Sequence, residues 1–285
     1  MRKIFSFLIF AFLFGYQELK LSLSPYELIT GNKTLPSYYT NFIFGNPLGI
    51  KKRAVSFSYL SYLVNTHFGG LGFAENKGKN QYGIFLNYFN SGEIKKTDEF
   101  GEEYGYFSYF HISLSPFFSY KLGSSKIGIL TNLIYSGCDT LYSLGTGINL
   151  LGMSEINIFR IGYGIKNLIF IFKPYYQTKK LEQPEFILEG SADLTELINL
   201  PKNNGLSIST GFAYSNLGLD FHLGTELMIS NLIIFRLGYL GFKEGFLTRF
   251  SLGLEFTKEP VAFSYGFLPY QNLGIAHIFN LTFYF

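Results

Sequence analysis

The chain carries 285 residues, 47% hydrophobic and 19% aromatic, with 33 Phe, 22 Tyr and 31 Gly but no Trp. Only 15% are charged, against about 25% in ordinary soluble domains, so neither disorder nor a typical soluble domain fits. A formal charge of +3 with scattered Lys and Arg offers no basic stripe for nucleic acid, and the single cysteine, Cys138, excludes an internal disulfide or a cysteine-rich metal site.

The opening stretch, MRKIFSFLIFAFLFGYQELK, places Arg2 and Lys3 before an apolar run from Ile4 to Gly15. This is the layout of a secretory signal peptide, and the run is too short for a spanning helix of about 20 residues. Residues 1–17 are therefore expected to be a signal peptide and 18–53 a periplasmic or plug segment. Within the latter, Asn46, Pro47 and Gly49 have turn chemistry and read either as a hatch seated in a lumen or as a periplasmic lead-in.

From residue 54 onward the sequence alternates. GLDFHLGTELM sets Leu219, Phe221, Leu223, Thr225 and Leu227 against Asp220, His222, Gly224 and Glu226. FLTRFSLGLEF sets Phe246, Thr248, Phe250, Leu252, Leu254 and Phe256 against Arg249, Ser251, Gly253 and Glu255. LIIFRLGY and VAFSYGF repeat the pattern. Successive strand residues point to opposite faces, so each segment has one greasy face and one of Gly, Ser, Ala or charge. A soluble interior has no room for so many Phe, Leu and Ile. A transmembrane β-barrel turns that face to lipid and the small and polar face to its lumen, and closure pairs every backbone group in the bilayer.

The predicted strands are 54–64, 67–75, 80–90, 108–122, 126–136, 139–151, 155–177, 185–195, 205–216, 217–228, 231–241, 246–257, 260–267 and 272–285. These make about 14 antiparallel strands in one all-β domain over 54–285, with 155–177 alternatively two strands. GSSK, LGMSE and ISN read as short periplasmic turns, and NSGEIKKTDEFGEEYG and KKLEQPE as longer outer loops. Tyr88, Phe89, Tyr120, Tyr175 and Tyr176 read as an interfacial girdle.

Parity sends Arg160, Asp220, His222, Glu226, Arg236, Arg249 and Glu255 into the lumen, because an Arg facing lipid costs about 2–4 kcal/mol at mid-membrane. These residues brace the interior in pairs, line a path, or grip a plug. His222 with a nearby Ser251 is also the only hint of a barrel hydrolase, outweighed by ordinary lumen polarity. No catalytic set, metal spacing or cofactor motif is read. In IAHIFNLTFYF, Phe279, Leu281, Phe283 and Phe285 share one face.

The last 21 residues, YGFLPYQNLGIAHIFNLTFYF, resemble the closing strands of the PorV/PorQ family, outer-membrane barrels related to the FadL fatty-acid transporters. NPLGI (46–50) is similar to that family's Asn-Pro-Ala-Gly-Leu motif. SGEIKKTDEFGEEYGYFS resembles its segment after the third strand, and IGYGIKNLIFIFKP its strand broken at Asn-Leu-Gly, with Ile169 in the Gly position. The family's Gly- and Ala-rich stretch with an Asp-Asp pair is replaced by the shorter LSPYELITGNKTLPSYYTN.

The resemblance implies a non-enzymatic outer-membrane protein of a Gram-negative-type bacterium, serving type IX-like secretion or surface attachment. Its implied partners are outer-membrane lipid, the barrel-assembly machinery, secreted clients, and a translocon or attachment complex. Thr97, Asp98, Glu99, Phe100 and Gly101 would make loop contacts, and Phe279, Leu281, Phe283 and Phe285 would form the assembly signal. The alternative is a FadL-like transporter of hydrophobic small molecules.

Overall fold

The structure, a computed structural model, describes residues 22–62, 66–98, 100–174, 181–182, 184–215, 218–242, 249–270 and 274–285, with only the backbone for 181, 182, 242 and 249. The expected signal peptide, Glu99, Tyr175 and Tyr176 lie outside the described residues.

A short helix, α1 (Pro25–Thr30), and a single 3-10 turn (Pro47–Gly49) precede the strands. The strands are β1 (Ala54–Ser61), β2 (His67–Lys77), β3 (Asn80–Asn90), β4 (Ile94–Thr97), β5 (Glu103–Phe107), β6 (Tyr109–Leu122), β7 (Ser125–Cys138), β8 (Leu141–Ile156) and β9 (Phe159–Lys173). They continue with β10 (Leu181–Glu182), β11 (Glu185–Asp193), β12 (Gly205–Ser215), β13 (Gly218–Ile229), β14 (Ile233–Phe242), β15 (Arg249–Lys258), β16 (Val261–Tyr270) and β17 (Gly274–Tyr284).

Fourteen of these form a closed antiparallel barrel. The ring runs β1–β2–β3–β6–β7–β8–β9, then β11 through β17, and returns to β1. The seam pairs Ala54 with Tyr284 and Ser61 with His277. The two-residue β10 adds to the upper part of β9, while β4 and β5 form a separate hairpin. Each predicted strand has one counterpart in the ring.

Alternation decides which face is which. On β1, Ala54, Ser56, Ser58 and Leu60 are buried while Phe57 and Tyr59 are exposed. On β13, His222, Gly224 and Glu226 are buried between exposed Leu219, Leu223 and Leu227. The outside of the ring is therefore a belt of Phe, Leu, Ile and Tyr, and the core of the molecule lies inside the barrel.

At the end of the barrel that holds both Ala54 and Tyr284, Gly78, Gly123, Asn157, Ser230 and Asn231 adopt positive φ in tight connections. LGMSE is not a turn: Leu151 and Met153 continue β8 and point inward onto Leu35 and Leu48, so the chain reverses only at Asn157. The 155–177 segment is a single strand, β9, with a bulge. Its register moves from Leu150↔Ile165 to Ile148↔Leu168, leaving Lys166 and Asn167 opposite Asn149. Asn167 sits at φ 60°, and its N–H donates to Asn149 Oδ1 at 2.7 Å. The extra residue moves the inward set from Arg160, Gly162, Gly164 and Lys166 to Asn167 and Ile169. Phe89 also departs from expectation: it is buried in the lumen beside Phe68, while Tyr88 faces outward.

Candidate functional site

Residues 22–50 lie inside the ring. Helix α1 begins with Pro25 and ends at Gly31 in the left-handed conformation, and all six of its residues are buried. It packs on β13 through β17, where glycines give it room. A Cβ on Gly238 would stand 1.6 Å from the Ile29 carbonyl oxygen, and one on Gly253 would stand 2.1 Å from Ile29 Cδ1. Ser251 Oγ donates to the same Ile29 carbonyl at 2.8 Å, so the one candidate nucleophile serves as a seat for the helix.

The chain after α1 is held by a carboxylate. Glu189, on β11, accepts hydrogen bonds from the backbone N–H groups of Lys33 (2.6 Å), Thr34 (2.9 Å) and Leu35 (2.9 Å) and from Thr34 Oγ1 (2.6 Å). Lys33 Nζ pairs with Glu185, two pleat repeats along β11 from Glu189, with Asp220 adding to the negative field around it. His222 Nε2 lies 3.1 Å from Asn32 Oδ1 and 3.8 Å from Glu189, and Asn32 Nδ2 donates to Tyr26 Oη and Ser209 Oγ. His222 is thus a plug contact.

A second cluster fixes residues 37–40. Arg236 Nε meets Glu226 at 3.2 Å, and its Nη2 meets Glu255 at 2.9 Å and donates to Thr40 Oγ1 at 2.5 Å. Ser37 Oγ donates to Glu226 at 2.6 Å, and Ser264 Oγ to Glu255 at 3.0 Å. Burying two carboxylates and a guanidinium is tolerable only because nearly every charged atom has a partner. Arg160 pairs with Glu155 at 2.8 Å and lies 3.7 Å over the Tyr38 ring. Arg249 opens β15 in register with Leu240, its side chain lying outside the described residues.

Asn46, Pro47 and Gly49 are also inside the barrel. Asn46 Oδ1 caps the 3-10 turn by accepting from Leu48 N–H at 2.9 Å. The turn docks through Ser119 Oγ on the Pro47 carbonyl (2.8 Å) and Lys126 Nζ on the Leu48 carbonyl (2.7 Å).

The other half of the lumen is apolar. Phe42 and Phe44 of the plug pack with Phe85 and Phe117 of the wall. Toward the barrel end opposite Ala54 and Tyr284, a chain of rings continues. Tyr270 and Tyr62 are 5.4 Å apart, Tyr62 and Phe68 6.0 Å, Phe68 and Phe89 4.4 Å, and Phe89 and Tyr109 5.7 Å between centroids. Leu60 and Leu268 fill in beside them.

This architecture has known counterparts. The toluene transporter TodX of Pseudomonas putida superposes with a TM-score of 0.67 over 93% of this chain and 98% of its own, at 9% identity. A TodX mutant described as a monoaromatic hydrocarbon channel gives 0.58, at 9% identity, over 81% of this chain and 89% of its own. Omp33, an outer-membrane protein of Acinetobacter baumannii, gives 0.50 at 9% identity, over 82% of this chain and 98% of its own. The fold is that of the outer-membrane barrels. No family model and no curated protein matches the sequence. The finer PorV/PorQ resemblance therefore rests on the sequence motifs alone.

On the same end as the ring chain, β4 and β5 project as a hairpin. Asp98 Oδ1 accepts from Phe100 N–H and Glu102 N–H, both at 2.9 Å, and Gly101 takes φ 88°. Phe100 is 84% exposed, with Tyr104 and Tyr106 also exposed, and Lys96 ties the hairpin to the barrel through Asp139 at 2.7 Å. The four C-terminal residues Phe279, Leu281, Phe283 and Phe285 share the outward face, Phe283 being half-buried under Phe57.

Among the contributors missed from sequence are Glu189, Glu185 and Lys33. The two glutamates share the inward parity of β11, so alternation carries their direction. Nothing local announces that Glu189 would collect three backbone N–H groups from residues some 150 positions away.

Proposed function

We propose that this protein is an outer-membrane channel for hydrophobic small molecules. The observation that carries the reading is the aromatic half-lumen of Tyr62, Phe68, Phe89, Tyr109 and Tyr270. Porin interiors are polar and water-filled, and burying apolar cargo is favourable in proportion to the area removed from water. A lumen wall of rings suits toluene-like or acyl compounds and repels sugars and ions. The likeness to TodX in architecture supports the same reading.

The chain contains no Trp, so Phe89→Trp creates a single fluorescent reporter inside the lumen. Titrating that variant in detergent with toluene and with dodecanoate should give a saturable emission change, while glucose gives none. A response linear in ligand for all three compounds would sink the channel reading.

A second reading, a partner-binding barrel of the PorV/PorQ type, is favoured by the exposed rings of the β4–β5 hairpin. Under it, a photo-cross-linking amino acid in place of Phe100 should capture secreted proteins that share a C-terminal domain. Cross-links to lipid alone would count against that role.

A further inference from the structure

We infer that the barrel mouth beside Ala54 and Tyr284 holds a binding site for a soluble phosphate-bearing anion, whose entry competes with the plug for the same cations. The site is independent of which cargo crosses the lumen. Tight connections close this end of the barrel, and in outer-membrane barrels the short turns face the periplasm.

The mouth gathers cations without matching acids. Lys121, near the end of β6, continues the inward parity of Ser119 and pairs in register with the inward-facing Lys126 of β7. Like charges set directly opposite on one face of a sheet repel. Lys126 is 8% exposed, and among the described residues its ammonium has no carboxylate partner. Its hydrogen bond goes instead to the Leu48 carbonyl of the plug, at 2.7 Å. Just past the plug, Lys51 Nζ likewise holds the Ser37 and Tyr38 carbonyls, and Arg160 lies over the Tyr38 ring and reaches the Pro36 carbonyl at 3.5 Å. The charges of Lys51, Lys121 and Arg160 all bear on Lys126. Glu155 opposes them, yet it is already engaged by Arg160 at 2.8 Å. Glu226 and Glu255, which also act on Lys51, are held by Arg236.

A carbonyl oxygen satisfies a hydrogen bond but does not neutralise an ammonium, and a buried charge is costly until it is paired. A compact anion supplies what the cluster lacks. Lysine binds phosphate as a point charge, and a dianion gains twice what a carboxylate gains from each cation. Because Lys121 and Lys126 face inward, the site opens to water in the mouth and not to the bilayer, which selects a soluble phosphate over a lipid headgroup. Lys121 is exposed and offers the first contact, while Lys126 lies behind it against the 3-10 turn. An anion that draws the Lys126 ammonium toward Lys121 takes it from the Leu48 carbonyl. The turn then loses that tie and keeps the one from Ser119 Oγ to the Pro47 carbonyl.

The test uses the full chain in non-ionic detergent at constant ionic strength and at about pH 7.5, where phosphate is largely a dianion. Equilibrium dialysis against radiolabelled inorganic phosphate should show one saturable site per barrel, with acetate a weak competitor. Lys121→Gln should lower phosphate affinity roughly tenfold, and Lys126→Met should abolish binding. Lys52→Gln, which removes a lysine already paired with Glu259, should leave it unchanged. Heat-modifiable migration on gels identifies the folded variants, and the exposed position of Lys121 keeps the test decisive if Lys126→Met does not fold. Phosphate, unlike acetate, should also speed protease cleavage within residues 36–51. Absence of saturable binding, or binding indifferent to Lys121→Gln, would overturn the site. Retention of a short-chain phosphatidic acid without inorganic phosphate would point to a lipid-facing site and likewise overturn it. Phosphate binding with unchanged cleavage would overturn the competition with the plug.

Discussion

Arg236 stands where the wall and the plug share one charge cluster. It sits between Glu226 and Glu255 and reaches Thr40, and all three charged groups are buried. Removing it leaves two carboxylates facing each other without a cation, a defect that typically costs about 3–5 kcal/mol. Arg236→Met should therefore lower the thermal midpoint of the detergent-solubilised barrel markedly. The triple variant Arg236→Met, Glu226→Gln, Glu255→Gln should recover most of the loss, since it removes the charges together. A single variant that melts like the unaltered protein would show that the cluster does not support the fold. The direction of these residues was legible from alternation; the pairing of Glu226 with Arg236 comes from the register, which sets them opposite each other on adjacent strands. The hydroxyls of Ser37 and Thr40 that complete the cluster were not legible, because they come from an irregular segment with no periodicity to read.

At the scale of elements, sequence predicts strands well and the plug poorly, for one reason. A strand's face is set by a period of two, and each of the fourteen ring strands carries that period in its own residues. Errors came where turn-like residues sat inside a strand. In LGMSE, Gly152 and Ser154 look like loop chemistry, yet Gly152 lies beneath Tyr163 and Ser154 Oγ meets Ser125 Oγ at 2.9 Å. Helix α1 is six residues long, too short to be stable alone. It exists because Gly238, Gly253 and Ser251 shape a seat for Ile29. A Gly238→Ala change therefore acts on the helix rather than on β14: its methyl must displace the Ile29 carbonyl, an overpacking defect of about 1–3 kcal/mol. The expected outcome is faster protease cleavage within residues 22–53 while the barrel stays heat-modifiable. Unchanged cleavage would mean that α1 can shift without loosening.

Considered as a whole, the molecule divides its interior between a polar seat on β9 and β11–β15 and an aromatic wall on β16, β1, β2, β3 and β6. The plug lies between them, with α1, Glu189 and Arg236 on one side and Phe42 and Phe44 on the other. This arrangement sets the plug across the lumen and leaves an apolar surface facing one end. Deleting residues 22–49 should convert the barrel from a poor ion conductor to a good one in planar bilayers. The intact protein should show little conductance at the same voltage, and equal conductance of the two would show that the segment does not block the pore. Strand alternation alone reached the right architecture, and of the motifs that carry the family resemblance NPLGI lies in the plug while SGEIKKTDEFGEEYGYFS carries the exposed β4–β5 hairpin. Pro47 and Leu48 are held by Ser119 on β6 and Lys126 on β7.

The seam between β1 and β17 sets an order of events. The ring's first and last strands close upon each other, and residues 22–53 run directly into β1 through Lys51, whose ammonium holds the Ser37 and Tyr38 carbonyls at 3.0 and 2.7 Å. A segment with so many buried hydrogen bonds to β9 and β11–β15 is more readily laid into an open, curved sheet than threaded into a finished cylinder. On that route the plug would act as a mandrel: the sheet would curl around it, and sealing the seam would be the final stitch. Weak plug contacts would on that account show themselves during biogenesis, as barrels that stall unsewn, before they show themselves in any leak.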